Sequence, residues 1–182
     1  MNGTQILLGV TGGIAAYRAC ELSRLFIKEG AMVRVVMTAA ATRFVTPLSF
    51  EALTGNAVHS DIFEEGSPGE VLHIALAKWA HIALIAPATA NIIGKIASGT
   101  ADDLLSTVVM ALPQSTPVAI APAMNVEMWK NPILQKKLSY LTGLGKYHVI
   151  SPQEGLLACG DVGRGKIAEN ETIVNAVKEL LA

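Results

Sequence analysis

Short, almost wholly apolar runs recur along this chain, and amphipathic stretches separate them. Gln5 to Val10, Met32 to Thr38, His81 to Ala86, Val118 to Ala121 and Tyr147 to Ile150 are too short for helices. They have the aliphatic content of strands covered on both faces. Between them the helical signals are equally regular. One helix opens in Thr11 to Tyr17 and ends near Gly30, another starts near Ala39, and Thr46-Pro47 starts a third that closes at Gly55. Proline is tolerated in a first helical turn because its missing N–H would be unpaired there anyway. Val71 to Ala80 is helical, and Pro87 to Ile92 leads into one or two helices over Ile93 to Ala111, broken at Gly99 to Asp103, where Thr100 or Asp102 caps the second. Asn131-Pro132 begins a helix to Leu144, and Glu171 to Leu181 is the last. Asn56 to Glu70 is polar and reads as a surface loop without chemistry. The alternation predicts an α/β fold: a single Rossmann-like (flavodoxin-like) domain over 1–182, with a parallel sheet and helices on both faces. The segment from about 152 to 168 stands apart as a glycine-rich flap.

Composition changes this picture in two ways. Hydrophobic residues make up 51% and charged residues 16% of the 182, more apolar than an ordinary soluble monomer, so the surplus is expected between subunits of a homo-oligomer. No run is long enough to cross a bilayer, and no basic segment with an apolar core opens the chain, so a soluble, cytoplasmic protein is expected. The net charge of −1 and the lack of a Lys/Arg cluster exclude a nucleic-acid footprint. Cys20 and Cys159 are too few for a disulfide framework and read as free thiols. No metal site is assigned.

The candidate chemistry lies where strands end, because ligands of open parallel sheets bind beyond the carboxyl ends of the strands. Thr11-Gly12-Gly13-Ile14 follows the first strand. Glycines and a helix N-terminus suit a phosphate, although the full dinucleotide fingerprint is missing and a plain βα turn has the same look. The second strand ends in Thr38 instead of the acid that holds a dinucleotide ribose. That favours a mononucleotide such as FMN over NAD, or else Thr38 simply caps the next helix. After the third apolar run, His81 to Ala86, Thr89 and Asn91 either donate to a ligand or cap a helix. Asn125, past Pro122, has the same two readings. His73, at a helix start, is a general base or a packed histidine. Cys20 lies inside the first helix and reads as a small buried hydrophobe, whereas Cys159, between Ala158 and Gly160, has a flexible setting and a reachable thiol.

Three segments carry a family resemblance. Pro122-Ala123-Met124-Asn125-Val126-Glu127-Met128-Trp129 fits the pattern Pro-x-Met-Asn-x-x-Met-Trp, His73-Ile74-Ala75-Leu76-Ala77-Lys78-Trp79-Ala80 fits His-Ile-x-Leu-x-x-Trp-Ala, and Leu157-Ala158-Cys159-Gly160-Asp161 fits a substrate flap. With these motifs the chain resembles the flavin-dependent cysteine decarboxylases, and among them those of coenzyme A biosynthesis that convert 4′-phosphopantothenoylcysteine to 4′-phosphopantetheine. The resemblance runs from Ile6 to about Glu169. It implies FMN as cofactor, held by Gly12, Gly13, Ile14, Thr38, Thr89, Ala90, Asn91, Ile92 and Ala123, with Ile92 replacing a commoner threonine. It implies His73 as acid/base, Asn125 as holder of the substrate carboxylate and Cys159 as proton donor. Met128, Leu156, Leu157 and Ala158 would be further substrate contacts. It also implies trimers or tetramers of trimers, and a fused or separate phosphopantothenate–cysteine ligase. No ligase follows Ala182, which suits either a stand-alone enzyme or a piece of a longer one. Flavin prenyltransferases on the same fold are expected to lack the joint His73, Asn125 and Cys159 set, and peptidyl-cysteine decarboxylases to lack the Cys159 flap. Non-catalytic flavin-binding regulatory relatives tend to carry long acidic extensions.

Overall fold

The computed structural model describes residues 1–64 and 71–182. Six strands, β1 (Gln5–Val10), β2 (Met32–Met37), β3 (Val58–His59), β4 (Ile82–Ala88), β5 (Val118–Pro122) and β6 (Tyr147–Val149), form one sheet in the order β3-β2-β1-β4-β5-β6. Every pairing in it is parallel. This is the Rossmann order, and it shares with flavodoxin-like sheets a switch point beside β1, where the chain winds outward in both directions.

The two faces follow from the period-2 alternation of side chains along a strand. Ile6, Leu8 and Val10 of β1, with Leu84 and Ala121, pack on Leu22 and Phe26 of α1 (Arg18–Lys28), Phe50 of α2 (Pro47–Thr54) and Ile173 and Val177 of α8 (Asn170–Leu180). Leu7, Ile85, Val118 and Ile120 point the other way. They meet Leu76 of α3 (Leu72–Trp79), Ile92 of α4 (Ala90–Ser98), Val108 of α5 (Leu104–Ala111) and Leu138 of α7 (Pro132–Gly143). Because both faces are covered, β4 and β5 are apolar throughout, and all their residues are buried.

Several local features depart from the sequence expectation, and the helix expected to start near Ala39 is only a 3-10 turn over Ala41–Arg43. Val58–His59 is a two-residue edge strand on β2, inside the stretch expected to be loop and too short to carry a periodic signal. Residues 65–70 of that stretch lie outside the described residues. The strand expected to stop at Ala86 continues through a cis Ala86–Pro87 bond to Ala88, which pairs with Pro122. The first helix begins as a 3-10 turn over Ile14–Tyr17. The cap of α5 is Asp103 and neither Thr100 nor Asp102, the two expected: its carboxylate accepts from the Ser106 N–H, and the Asp103 N–H donates to the Ser106 hydroxyl.

The glycine-rich segment is an antiparallel hairpin, β7 (Gln153–Leu156) with β8 (Val162–Lys166). Its turn is held by the Leu157 N–H on the Asp161 carbonyl at 2.8 Å and the Gly160 N–H on the Leu157 carbonyl at 2.9 Å. Glycines at 155, 163 and 165 replace the side chains that would have displayed strand alternation. The same glycines let it lie close to the chain after β5. The Met124 N–H donates to the Gly165 carbonyl at 3.0 Å, and a Cβ on Gly165 would stand 2.3 Å from the Met124 carbonyl oxygen.

Candidate active site

The turns after β1 and β4 meet at the switch point, and one buried hydroxyl ties them together. Thr11 Oγ1 donates to the Pro87 carbonyl at 2.7 Å and accepts from the Thr89 N–H at 3.1 Å. Thr89 then caps α4 by accepting from the Ile92 N–H. The first-turn amides of a helix have no partner within it. Here the Ala90 and Asn91 amides make no hydrogen bond to the described residues, and neither do those of Gly12, Gly13 and Ile14. Gly12 cannot be replaced without movement, because a Cβ there would lie 2.4 Å from the Ala40 Cβ.

These amides open onto a cavity of about 450 Å³, within the range of small-ligand sites. The glycine turn, Thr89 and Ala90 wall one side, Ala123 to Asn125 and Met128 another, and Leu156 to Cys159 with Gly165 to Ile167 close over the top. Among the described residues, the charged ones lining it are Arg18 and Lys166, and no carboxylate lines it. Unpaired N–H donors, a helix N-terminus, two cations and otherwise apolar walls fit a flat ring system carrying a phosphate. A side chain on Gly13 would reach into this space, its nearest neighbour being Thr89 Cγ2 at 3.7 Å. Among the described residues no group of three or more His, Cys, Asp or Glu is placed to hold a metal.

The two readings of Asn125 turn out to use different atoms. Its Oδ1 accepts from the Glu127 N–H at 2.8 Å and so caps the short helix α6 (Val126–Lys130). That bond fixes the amide plane and leaves Nδ2 facing the hairpin, 3.4 Å from Cys159 Sγ and 2.7 Å from Asp161 Oδ2. The Cys159 thiol donates to the same Asp161 oxygen at 3.2 Å. The two thiols differ in setting. Cys159 is exposed on the hairpin turn, whereas Cys20 is half-buried against the core and burial pushes its thiol up from the ordinary range.

Twelve residues singled out from sequence therefore line one cavity: Gly12, Gly13, Ile14, Thr89, Ala90, Ala123, Asn125, Met128, Leu156, Leu157, Ala158 and Cys159. Four do not. Thr38 Oγ1 accepts from the Ala41 N–H at 3.2 Å, the capping geometry, and the turn it holds carries Ala40 against Gly12. Asn91 is exposed and Ile92 is buried in the core beneath α4. His73 is half-buried in the first turn of α3, away from the cavity of its own chain. Sequence reading missed Tyr17, Arg18 and Lys166, which line the cavity, and Asp161, which touches Asn125. Arg18 carries no motif signal. Its guanidinium pairs with Glu169 and holds that carboxyl below the usual range.

Comparison with known proteins agrees with the geometry. The family model described as Flavoprotein matches residues 1–182. The chain is 47% identical over 182 residues to the coenzyme A biosynthesis bifunctional protein CoaBC of Bacillus subtilis, covering 100% of this chain and 44% of that protein. It thus spans less than half the length of the bifunctional curated relatives it matches. It is 45% identical over 177 residues to a probable phosphopantothenoylcysteine decarboxylase of Streptococcus mutans, covering 97% of this chain and 98% of that one. A mutant PPC decarboxylase complexed with pantothenoylaminoethenethiol superposes with a TM-score of 0.87 at 35% identity, covering 98% of both chains. The FMN binding protein AtHal3 gives 0.86 at 36% identity, covering 98% of this chain and 96% of that one.

Proposed function

Because the chain belongs to the flavoprotein family, we propose that it is an FMN-dependent phosphopantothenoylcysteine decarboxylase, converting 4′-phosphopantothenoylcysteine to 4′-phosphopantetheine in coenzyme A biosynthesis. The observation that carries this reading is the meeting of the Asn125 amide nitrogen and the Cys159 thiol at 3.4 Å beside the cavity. An anchored amide donor suits a carboxylate, and an exposed thiol next to it can deliver a proton to the carbon skeleton that the carboxylate leaves.

FMN, when bound, supplies the two-electron oxidation and reduction without which loss of carbon dioxide would leave an unstabilised carbanion. The protein's share is positioning and proton transfer. Gly12, Gly13, Ile14, Thr89, Ala90 and Ala123 hold the cofactor, the amides taking its phosphate. Thr38 and Ile92 support them from behind, through Ala40 and through the seating of α4, and Asn91 contributes its first-turn N–H. Asn125 Nδ2 holds the substrate carboxylate, with Met128, Leu156, Leu157 and Ala158 around the substrate under the hairpin, which serves as the flap. Cys159 Sγ supplies the proton that makes the saturated thiol in place of an enethiol.

His73 acts as acid/base in the oxidative half of the reaction, and it does so in a homo-oligomer, a trimer or a dodecamer built as a tetramer of trimers. Its neighbours Val71 and Ile74 are exposed apolar residues, as are Ile14 and Tyr17 at the cavity. A contact between copies would cover both patches and bring α3 of one copy to the cavity of another. The substrate would come from a phosphopantothenate–cysteine ligase, fused or separate. No described helix is long and apolar enough to cross a membrane, and the reading places the reaction in the cytoplasm. The test is to load the purified protein with FMN, add 4′-phosphopantothenoylcysteine and measure carbon dioxide together with product mass. Equal yields of carbon dioxide and 4′-phosphopantetheine support it, and no turnover by protein that holds FMN overturns it.

A further inference from the structure

The Asp161 carboxylate lies on the exposed hairpin turn, yet it points at the amide that would take the substrate. Asn125 Nδ2 donates to Asp161 Oδ2 at 2.7 Å, the short distance of a bond to an ionised acceptor. The Asn125 oxygen is already engaged by the Glu127 N–H, so the amide cannot turn over to offer its nitrogen elsewhere without losing that cap. Asp161 takes a second donor, the Cys159 thiol, on the same oxygen. A carboxylate of the protein therefore sits where the proposed function puts a carboxylate of the substrate.

We infer that Asp161 is a positioning residue that occupies the carboxylate seat at Asn125 until the substrate arrives and is then exchanged for it. The inference rests on Asn125 being the substrate's carboxylate holder. Two carboxylates on one amide nitrogen would repel each other, so entry of the substrate drives Asp161 off. The same displacement takes the acceptor away from the Cys159 thiol, whose proton is then free to face the substrate. Release of the Asp161 contact and readiness of the thiol are thus linked to one event, seating of a carboxylate. A ligand without that carboxylate would leave Asp161 in place. The competition also weakens substrate binding, because only the fraction of molecules with the seat vacant can take it.

The test uses the FMN-loaded protein and two variants, Asp161→Asn, which keeps the shape and drops the charge, and Asp161→Ala. Neither disturbs the turn, since the Leu157 N–H bonds to the Asp161 backbone carbonyl. The KM for 4′-phosphopantothenoylcysteine should fall roughly three- to tenfold in Asp161→Ala, the size expected for losing one charge-assisted competitor, and less in Asp161→Asn. Inhibition by 4′-phosphopantetheine, which has no carboxylate, should stay within about twofold of wild type on the same scale. In the protein without substrate, iodoacetamide should label Cys159 faster in Asp161→Ala, while Cys20 is unchanged. A substrate KM that is unchanged or raised, or a parallel change for substrate and product, overturns the inference while leaving the function intact. Wild-type protein that holds FMN and does not decarboxylate would overturn the function itself.

Discussion

Asn125 and Cys159 are 34 residues apart in sequence, yet the amide nitrogen of one lies 3.4 Å from the thiol sulfur of the other. Neither belongs to a regular strand or helix of the six-stranded sheet. The contact exists because β8 lies against the turn after β5, joined by the Met124 N–H on the Gly165 carbonyl and by the missing side chain at Gly165.

Gly165→Ala tests that dependence. The added Cβ would stand 2.3 Å from a backbone oxygen, a contact that only movement of the hairpin relieves. Turnover should fall by about a hundredfold, the usual effect of a misplacement near 1 Å. The melting temperature should change little, because the hairpin lies outside the sheet core. Steady-state kinetics and a thermal melt on one preparation check both, and wild-type turnover would show that docking of the hairpin is not needed.

Cys159→Ser keeps a hydroxyl of similar size and loses the thiol proton donor. Carbon dioxide should still be released, and the product should be two mass units lighter than 4′-phosphopantetheine, the enethiol in place of the saturated thiol. Mass spectrometry of the reaction mixture reads this directly. A normal yield of the saturated thiol would remove Cys159 from the mechanism.

Away from the site, the Asp103 cap predicts a pH effect. Burial raises its carboxyl pKa, but the Lys95 ammonium at 2.6 Å and the Ser106 donors outweigh it and hold the group below the usual carboxylate range. A carboxyl with a lowered folded-state pKa stabilises the fold fully above its unfolded value, near 3.9, and loses that contribution as pH falls below it. Lys95 is raised by Asp102 and Asp103, so its share is lost only on the alkaline side of the ordinary lysine range. Asp103→Ala should cost about 1 kcal/mol in urea unfolding at neutral pH. The difference from wild type should stay flat from about pH 5 to 8 and close below about pH 4. A difference that persists in acid would mean the carboxylate charge is not what matters.

The sheet was legible because burial on both faces makes β4 and β5 unbroken apolar runs and leaves β1 and β2 one polar residue each, Gln5 and Arg34, and the cavity walls were legible because glycine turns and Pro122 mark strand ends. What escaped had weaker local signals. Val58–His59 is held by β2, not by its own pattern. The hairpin was read as a flap because glycines stand where alternating side chains would have announced strands. Asn125 reads equally as cap or ligand in sequence, and only the folded chain separates its two atoms: the oxygen caps α6 and the nitrogen faces Cys159 and Asp161. Asp161 gives no signal of its own within the flap motif, since its partner is 36 residues away and brought near by tertiary folding alone. His73 carries a motif yet lies off the cavity of its own chain, so the role proposed for it would need a neighbouring copy, which one sequence does not describe.

Carbon dioxide release by Asn125→Asp, loaded with FMN, tests the central claim most directly. The change keeps the side-chain oxygen that caps α6 and replaces the amide donor with a like charge to the substrate. The account predicts flavin bound as in wild type and carbon dioxide release from 4′-phosphopantothenoylcysteine reduced by about a hundredfold or more, as for loss of a positioned donor. Release at the wild-type rate would contradict it.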